Sequence, residues 1–230
     1  LLLVVGCGTE PEDCAGVAGG NAVEDIDGNC YSTVQIGDQL WMAENLKVTH
    51  YNNGSEIPTG YSNFEWAELE IGAYSVYPAD SSTTCGDDCV DVYGNLYNWA
   101  VTVDDRGVCP EGWHVPSDEE WTDLITYLDV DTDPDVFGSQ SYIAGGKIKE
   151  AGLEHWNYYS DEITEESTNE SGFTGLPGGY RNYVYVGPYS GMGYEGYFWS
   201  SSHSGYLSSS DRHSNAWYRR LNYNNSSVYR

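Results

Sequence analysis

The stretch whose reading decides the fold spans residues 109–129, "CPEGWHVPSDEEWTDLITYLD". Its second half holds the one segment with strong helix grammar. Ser117 stands at the N-cap position and Glu120 follows three residues later, the reciprocal arrangement of a capping box. Trp121, Leu124, Ile125 and Leu128 then recur at helical spacing on one face. The segment is therefore expected to be an amphipathic helix that buries that face.

The chain around this helix is mostly strand and loop. In "CYSTVQIGDQLWMAENL" (residues 30–46), Val34 and Ile36 alternate with polar residues, Gly37-Asp38 marks a turn, and "QLWM" resumes. That pattern is a β-hairpin. Another, shorter helix is expected at "AGGKIKEAG" (144–152), and from Gly172 onward short Tyr-rich strands are broken by Gly, Pro, Asn and Ser. No repeat of solenoid length is present. The expected class is α+β, loop-rich, with small sheets and two short helices. Residues 1–30, rich in Gly, Ala, Asp and Glu beyond their first few positions, are expected to form an N-terminal arm, with a domain over 31–230.

Composition narrows the function. In 230 residues there are 9 Lys+Arg against 36 Asp+Glu, a net charge of -27. Nucleic acid as a partner is excluded, because phosphate backbones require basic side chains. Anionic lipid is disfavoured, whereas calcium, a cationic partner or plain solubility fits. The 21 Tyr and 8 Trp, against 4 Phe, favour surfaces where an aromatic face must also stay wet.

Six cysteines point to an oxidising compartment. Cys85 and Cys89 in "CGDDC" lack the second ligand pair of a zinc site, so a disulfide closing a surface loop is the preferred reading. Cys14 and Cys30 could form another bridge, which leaves Cys7 and Cys109. Spacing alone does not fix the connectivity. The opening "LLLVVGC" has three readings: the end of a signal peptide, a lipobox with Cys7 acylated, or an assembly strand formed by Leu1, Leu2, Leu3, Val4 and Val5. All three imply export, and a membrane is a partner only if Cys7 carries lipid.

Catalytic patterns are weak. His50, His114, His155, His203 and His213 are scattered, no nucleophile elbow occurs, and His114 beside Trp113 reads as a packing residue. The chain is accordingly expected not to be an enzyme. Calcium is the one cofactor suggested, by Asp129, Asp131, Asp133 and Asp135 in "DVDTDPD". That run lacks both the turn glycine and the terminal Glu of an EF-hand, so a solvated acidic loop is the preferred reading. Tyr180, Tyr183, Tyr185, Tyr189, Tyr194 and Tyr197 lie among glycines and suit either sugar stacking or subunit contacts. Asn53, Asn169, Asn224 and Asn225 are glycosylation sequons.

Several separated blocks, in order, resemble one family: "VQIGDQLWMAENLKVTHYNNG", "YGNLYNWAV", "CPEGWHVPSDEEWTDL", "AGGKIKEAGLEHWN", "TNESGFTGLPGGYRN", "GYFWSSS" and "AWYRRLNYNNSSVYR". This is the Fibrobacter succinogenes major paralogous domain, and the likeness runs from about residue 31 to the C-terminus. It implies a fold akin to the C-type-lectin and formylglycine-generating-enzyme group, and surface proteins or lipoproteins without assigned catalysis. The family usually continues past "VYR" into a closing strand whose Cys would partner Cys109. Here the sequence stops at Arg230, so either it is a fragment or the strand is supplied from elsewhere, and the sharper expectation is that "LLLVVGC" of a neighbouring copy fills that edge, with Cys7 a candidate partner of Cys109. The leading expectation is thus an extracellular structural subunit of a homopolymeric fibre or layer. The alternative is a monomeric surface lipoprotein with a lectin-like, carbohydrate-binding domain.

Overall fold

The computed structural model describes residues 11–78, 85, 89–182, 188–205 and 216–230. In chain order the elements are β1 (Val23–Glu24), β2 (Cys30–Tyr31), β3 (Thr33–Ile36), β4 (Gln39–Met42), α1 (Asn63–Ala67) and β5 (Tyr74–Ser75). There follow α2 (Cys89–Tyr93), β6 (Leu96–Tyr97), α3 (Trp99–Thr102), α4 (Asp118–Leu128), β7 (Ser139–Ser141) and α5 (Ala144–Ile148). The chain closes with α6 (Asp161–Glu166), β8 (Gly178–Arg181), β9 (Tyr189–Met192), β10 (Glu195–His203), β11 (Ala216–Asn222) and β12 (Val228–Tyr229). The architecture is mixed α and β, with small, mainly antiparallel sheets and short helices. The two expected helices, α4 and α5, are present; among the described residues four more short helices accompany them, so the expected number is corrected upward.

The largest sheet has six strands in the order β7-β12-β11-β10-β8-β9. Its pairs are antiparallel except β10 with β8, which run parallel through Gly196 and Gly179. Helix α4 lies against this sheet. The Ser117 hydroxyl accepts the Glu120 N–H at 3.1 Å, and the Glu120 carboxylate accepts the Ser117 N–H at 2.7 Å. Trp121, Leu124 and Ile125 are buried, and Leu128 packs beside them. The β3–β4 hairpin pairs Val34 with Trp41 and Ile36 with Gln39. Gly37 at its turn has φ +59°, the left-handed value that a two-residue hairpin loop favours at glycine. The main core joins Ile36 and Trp41 of this hairpin to the α4 face, Ile148, Trp156, Phe173, Leu221 and Val228.

Helix α5 explains "AGG". A Cβ on Gly145 would sit 2.5 Å from the Ser227 carbonyl oxygen, and one on Gly146 would strike the Glu166 carbonyl. Only glycine lets this helix approach the C-terminal segment so closely. Two smaller cores complete the interior, one around Val48, Tyr51, Ile57, Val101 and Val108, the other around Cys85, Cys89, Tyr93 and Met192.

From Pro11 the N-terminal segment folds back onto the domain. β1 pairs with β2, and the buried Asp25 carboxylate accepts the Tyr31 hydroxyl at 2.6 Å. Cys14–Cys30 and Cys85–Cys89 are disulfide-bonded. Cys109 is a free thiol among the described residues, and burial pushes its pKa up to about 11. Leu1, Leu2, Leu3, Val4, Val5 and Cys7 lie outside the described residues. No helix among the described residues is long and apolar enough to cross a membrane.

Candidate binding cleft

Strand β10 alternates Tyr197, Phe198 and Trp199, and a strand sends successive side chains to opposite faces. Phe198 packs on the core with Trp121 and Phe173. Tyr197 and Trp199 therefore point the other way. The β10–β11 register sets Trp199 opposite Tyr218 and Tyr197 opposite Arg220. Tyr180 on β8 extends the row. Its ring is 4.9 Å from Tyr197, Tyr197 is 5.5 Å from Tyr218, and Tyr218 is 6.1 Å from Trp199. The result is one aromatic surface across three adjacent strands.

This surface lines a cleft of about 1880 Å³, together with Trp66, Trp99 and Trp113. Indole N–H groups fix its walls. Trp199 donates to the Tyr97 carbonyl at 2.9 Å, Trp99 to the Ser200 carbonyl at 3.0 Å, and Trp121 to the Trp199 carbonyl at 3.1 Å. Trp199, its N–H satisfied, and Tyr218 still stand 37% and 36% exposed, so ring area remains available to a ligand. At one side, the capping box of Ser62 and Glu65 starts α1 and sets Trp66. The Arg181 guanidinium stacks over that indole at 4.2 Å and donates to the Tyr61 carbonyl at 2.7 Å.

Among the acidic and basic side chains of the cleft the acidic ones prevail: Glu44, Glu68, Glu70 and Glu120 against Arg181 and His114. Burial pushes the Tyr197 phenol up from its ordinary pKa, outweighing the hydrogen bond with Arg220. It is therefore protonated at neutral pH and can donate as well as accept. His114 is corrected from a packing residue to an exposed one, its Nε2 2.8 Å from Glu120 Oε1. Burial raises the Glu120 carboxyl, but the Ser117 N–H and His114 prevail, so it lies below its ordinary value. Glu120 thus serves the helix cap and His114 together.

The sequence-derived candidates separate in space. Tyr180 and Tyr197 are in the cleft. Tyr189 lies just beyond, 5.2 Å from the Arg181 guanidinium, and Tyr194 packs edge-on against Tyr223 at 5.1 Å instead. Tyr183 and Tyr185 lie outside the described residues. Trp66, Trp99, Trp113, Trp199 and Tyr218 were not expected as site residues, although the Tyr197/Trp199 alternation carries the signal for a one-sided aromatic strand.

Asp129, Asp131, Asp133 and Asp135 are not gathered into one ligand group among the described residues, and the preferred reading of a solvated acidic loop is modified at Asp129, which is buried. Asp129 is buried and accepts from the Ser141 hydroxyl at 2.6 Å and the Asp131 N–H at 3.1 Å. Asp133 accepts the Asp135 N–H at 3.1 Å. The carboxylates hold their own turns. Among the described residues the one group of three potential metal ligands is Glu150, Glu154 and His155. Of the sequons, Asn53 and Asn224 are exposed. Asn169 and Asn225 already donate through Nδ2, to Thr174 and to Asn224 and Tyr229.

The family model described as the Fibrobacter succinogenes major domain matches residues 34–229. No curated protein and no solved structure matches the chain.

Proposed function

This chain belongs to the Fibrobacter succinogenes major domain family, and we propose that its aromatic cleft binds a neutral polysaccharide without altering it. The observation that carries this reading is the row Tyr180, Tyr197, Tyr218 and Trp199 along a cleft of about 1880 Å³. That cavity also reaches the core residues Trp41, Trp121 and Phe173, so its outer part alone borders the row, and it is the row of four rings that suits several linked units of a polymer. Aromatic faces stack on the C–H faces of pyranose rings, while the phenol and amide edges meet sugar hydroxyls. The acidic lining and the net charge of -27 disfavour uronates and sulfated chains.

A C-type-lectin-like arrangement is part of the same proposal, supported by the loops and small sheets gathered around a single aromatic cleft. So is an extracellular or cell-surface location, which the two disulfides support. The fibre-subunit reading rests on Leu1–Val5 and Cys7, outside the described residues, and no structural observation favours it over the cleft.

The test is affinity electrophoresis through gels containing neutral polysaccharides, comparing the full chain with the Trp199→Ala/Tyr218→Ala double variant. Retardation by at least one neutral polymer, lost in the variant, is the expected result. Absence of retardation across neutral β- and α-linked glucans, mannans and xylans would overturn the reading.

A further inference from the structure

We propose that Glu150, Glu154 and His155 form a binding site for a divalent first-row transition cation such as zinc. One ligand atom from each lies within 4.8 Å of the others, and because ligands of one tetrahedral ion stand roughly 3.4 Å apart, a small inward rotation of the exposed Glu154 side chain closes the group around an ion. Two carboxylates and a neutral imidazole match a doubly charged ion, and imidazole selects zinc and its neighbours over calcium or magnesium.

A second observation points at the same place. Glu150 Oε1 is 2.8 Å from His155 Nδ1, but Glu150 Oε2 is buried with no hydrogen-bond partner among the described residues. An orphaned buried carboxylate oxygen is costly to keep, and a bound cation would satisfy it. The site is also held in shape. The Glu150 N–H donates to the Gly175 carbonyl at 3.1 Å, and its carbonyl accepts the Tyr158 hydroxyl at 2.8 Å. His155 rests edge-on against the buried Tyr93 ring at 5.5 Å. Glu154 is exposed and free to swing onto an incoming ion. Three protein ligands leave a fourth position open to water. None of the three lines the aromatic cleft, so the proposal stands apart from polysaccharide binding.

The experiment is a zinc titration of the full chain without an affinity tag, read by competition with a chromogenic chelator and by the melting temperature. The expected result is one zinc per chain with a raised melting temperature. Glu154→Gln, at an exposed position outside the core, should weaken binding by roughly tenfold or more, and Glu150→Gln should abolish it. Diffuse, multiple-site binding unchanged in both variants, or no saturable binding at all, would overturn the proposal.

Discussion

Arg219 Nη1 lies 2.7 Å from Asp118 Oδ1, and the Arg219 side chain is only 1% exposed. The other carboxylate oxygen of Asp118 meets Arg230 Nη2 at 2.7 Å. One carboxylate at the first turn of α4 therefore ties that helix to β11 and to the last residue of the chain. Burial pulls the Arg219 pKa down, and Asp118 acts in the opposite direction. Removing Asp118 would leave a buried guanidinium without its counter-charge. Asp118→Ala is expected to cost about 3–5 kcal/mol, the usual penalty for breaking one side of a buried pair. A lower urea midpoint with an unchanged slope is the expected signature; a loss under 1 kcal/mol would mean the pair is effectively solvated.

The approach of α5 to the C-terminal segment gives a second prediction. Gly145→Ala would set its Cβ 2.5 Å from the rigid Ser227 carbonyl, where nothing flexible can yield. The expected loss is about 1–3 kcal/mol, typical of overpacking. Gly54→Ala is not a fair control despite its open surroundings, because Gly54 has φ +81°. Thermal unfolding of Gly145→Ala against the parent chain decides the matter, and an unchanged melting temperature would contradict the packing argument.

Cys109 yields a third. Its thiol is pushed up to about 11 by burial, so at pH 8 almost none of it is thiolate. Ellman's reagent should leave it unmodified in the native chain and react with it on denaturation. Fast reaction in the native state, assigned to Cys109 rather than Cys7 by peptide mapping, would show that the thiol is open to solvent. No reaction even in denaturant without reductant would show that it is already bonded, as the pairing with Cys7 requires.

What the sequence made legible follows local rules. Ser117 and Glu120 announce α4 because a capping box is complete within four residues, and Val34 and Ile36 announce their hairpin through alternation around Gly37. The same S-x-x-E signal stands at Ser62 and Glu65, where it starts α1, but that five-residue helix has no buried residue and so no apolar face to announce it. The cleft was legible only in part. Tyr180 and Tyr197 stood out among glycines, but Trp66, Trp99 and Trp199 come from three separate elements, and only the tertiary fold brings them together. The acidic run from Asp129 was legible as a loop, but not the inward turn of Asp129 onto Ser141, a residue twelve positions away.

Lys149 supplies the last prediction. It is fully buried, donates to the Asn222 and Asn225 carbonyls at 3.0 and 2.8 Å, and lies 5.2 Å from the Trp156 ring centre. Burial pulls its pKa down to about 8, with Glu166 acting in the other direction. The folded pKa thus lies below the unfolded one, so between about pH 8 and 10.5 the unfolded chain holds more protons than the folded one. Stability contributed at this site must rise with pH across that window, by at most ~1.4 kcal/mol per pH unit. Groups raised by burial oppose it toward the upper end: the contribution of Cys109 falls as pH passes the ordinary thiol value near 9, and those of Tyr31 and Tyr158 as it passes the ordinary tyrosine value near 10. Urea midpoints between about pH 7.5 and 8.5, below that opposition, should therefore climb in the parent chain and flatten in Lys149→Met. That variant keeps the length of the stem but leaves the two carbonyls without their donor, so its midpoint should be lower near pH 7.5 if the hydrogen bonds outweigh the cost of the buried charge. A parent chain whose midpoint is flat over this range would mean that the ammonium is solvated in the fold, and the inward placement of Lys149 would be wrong.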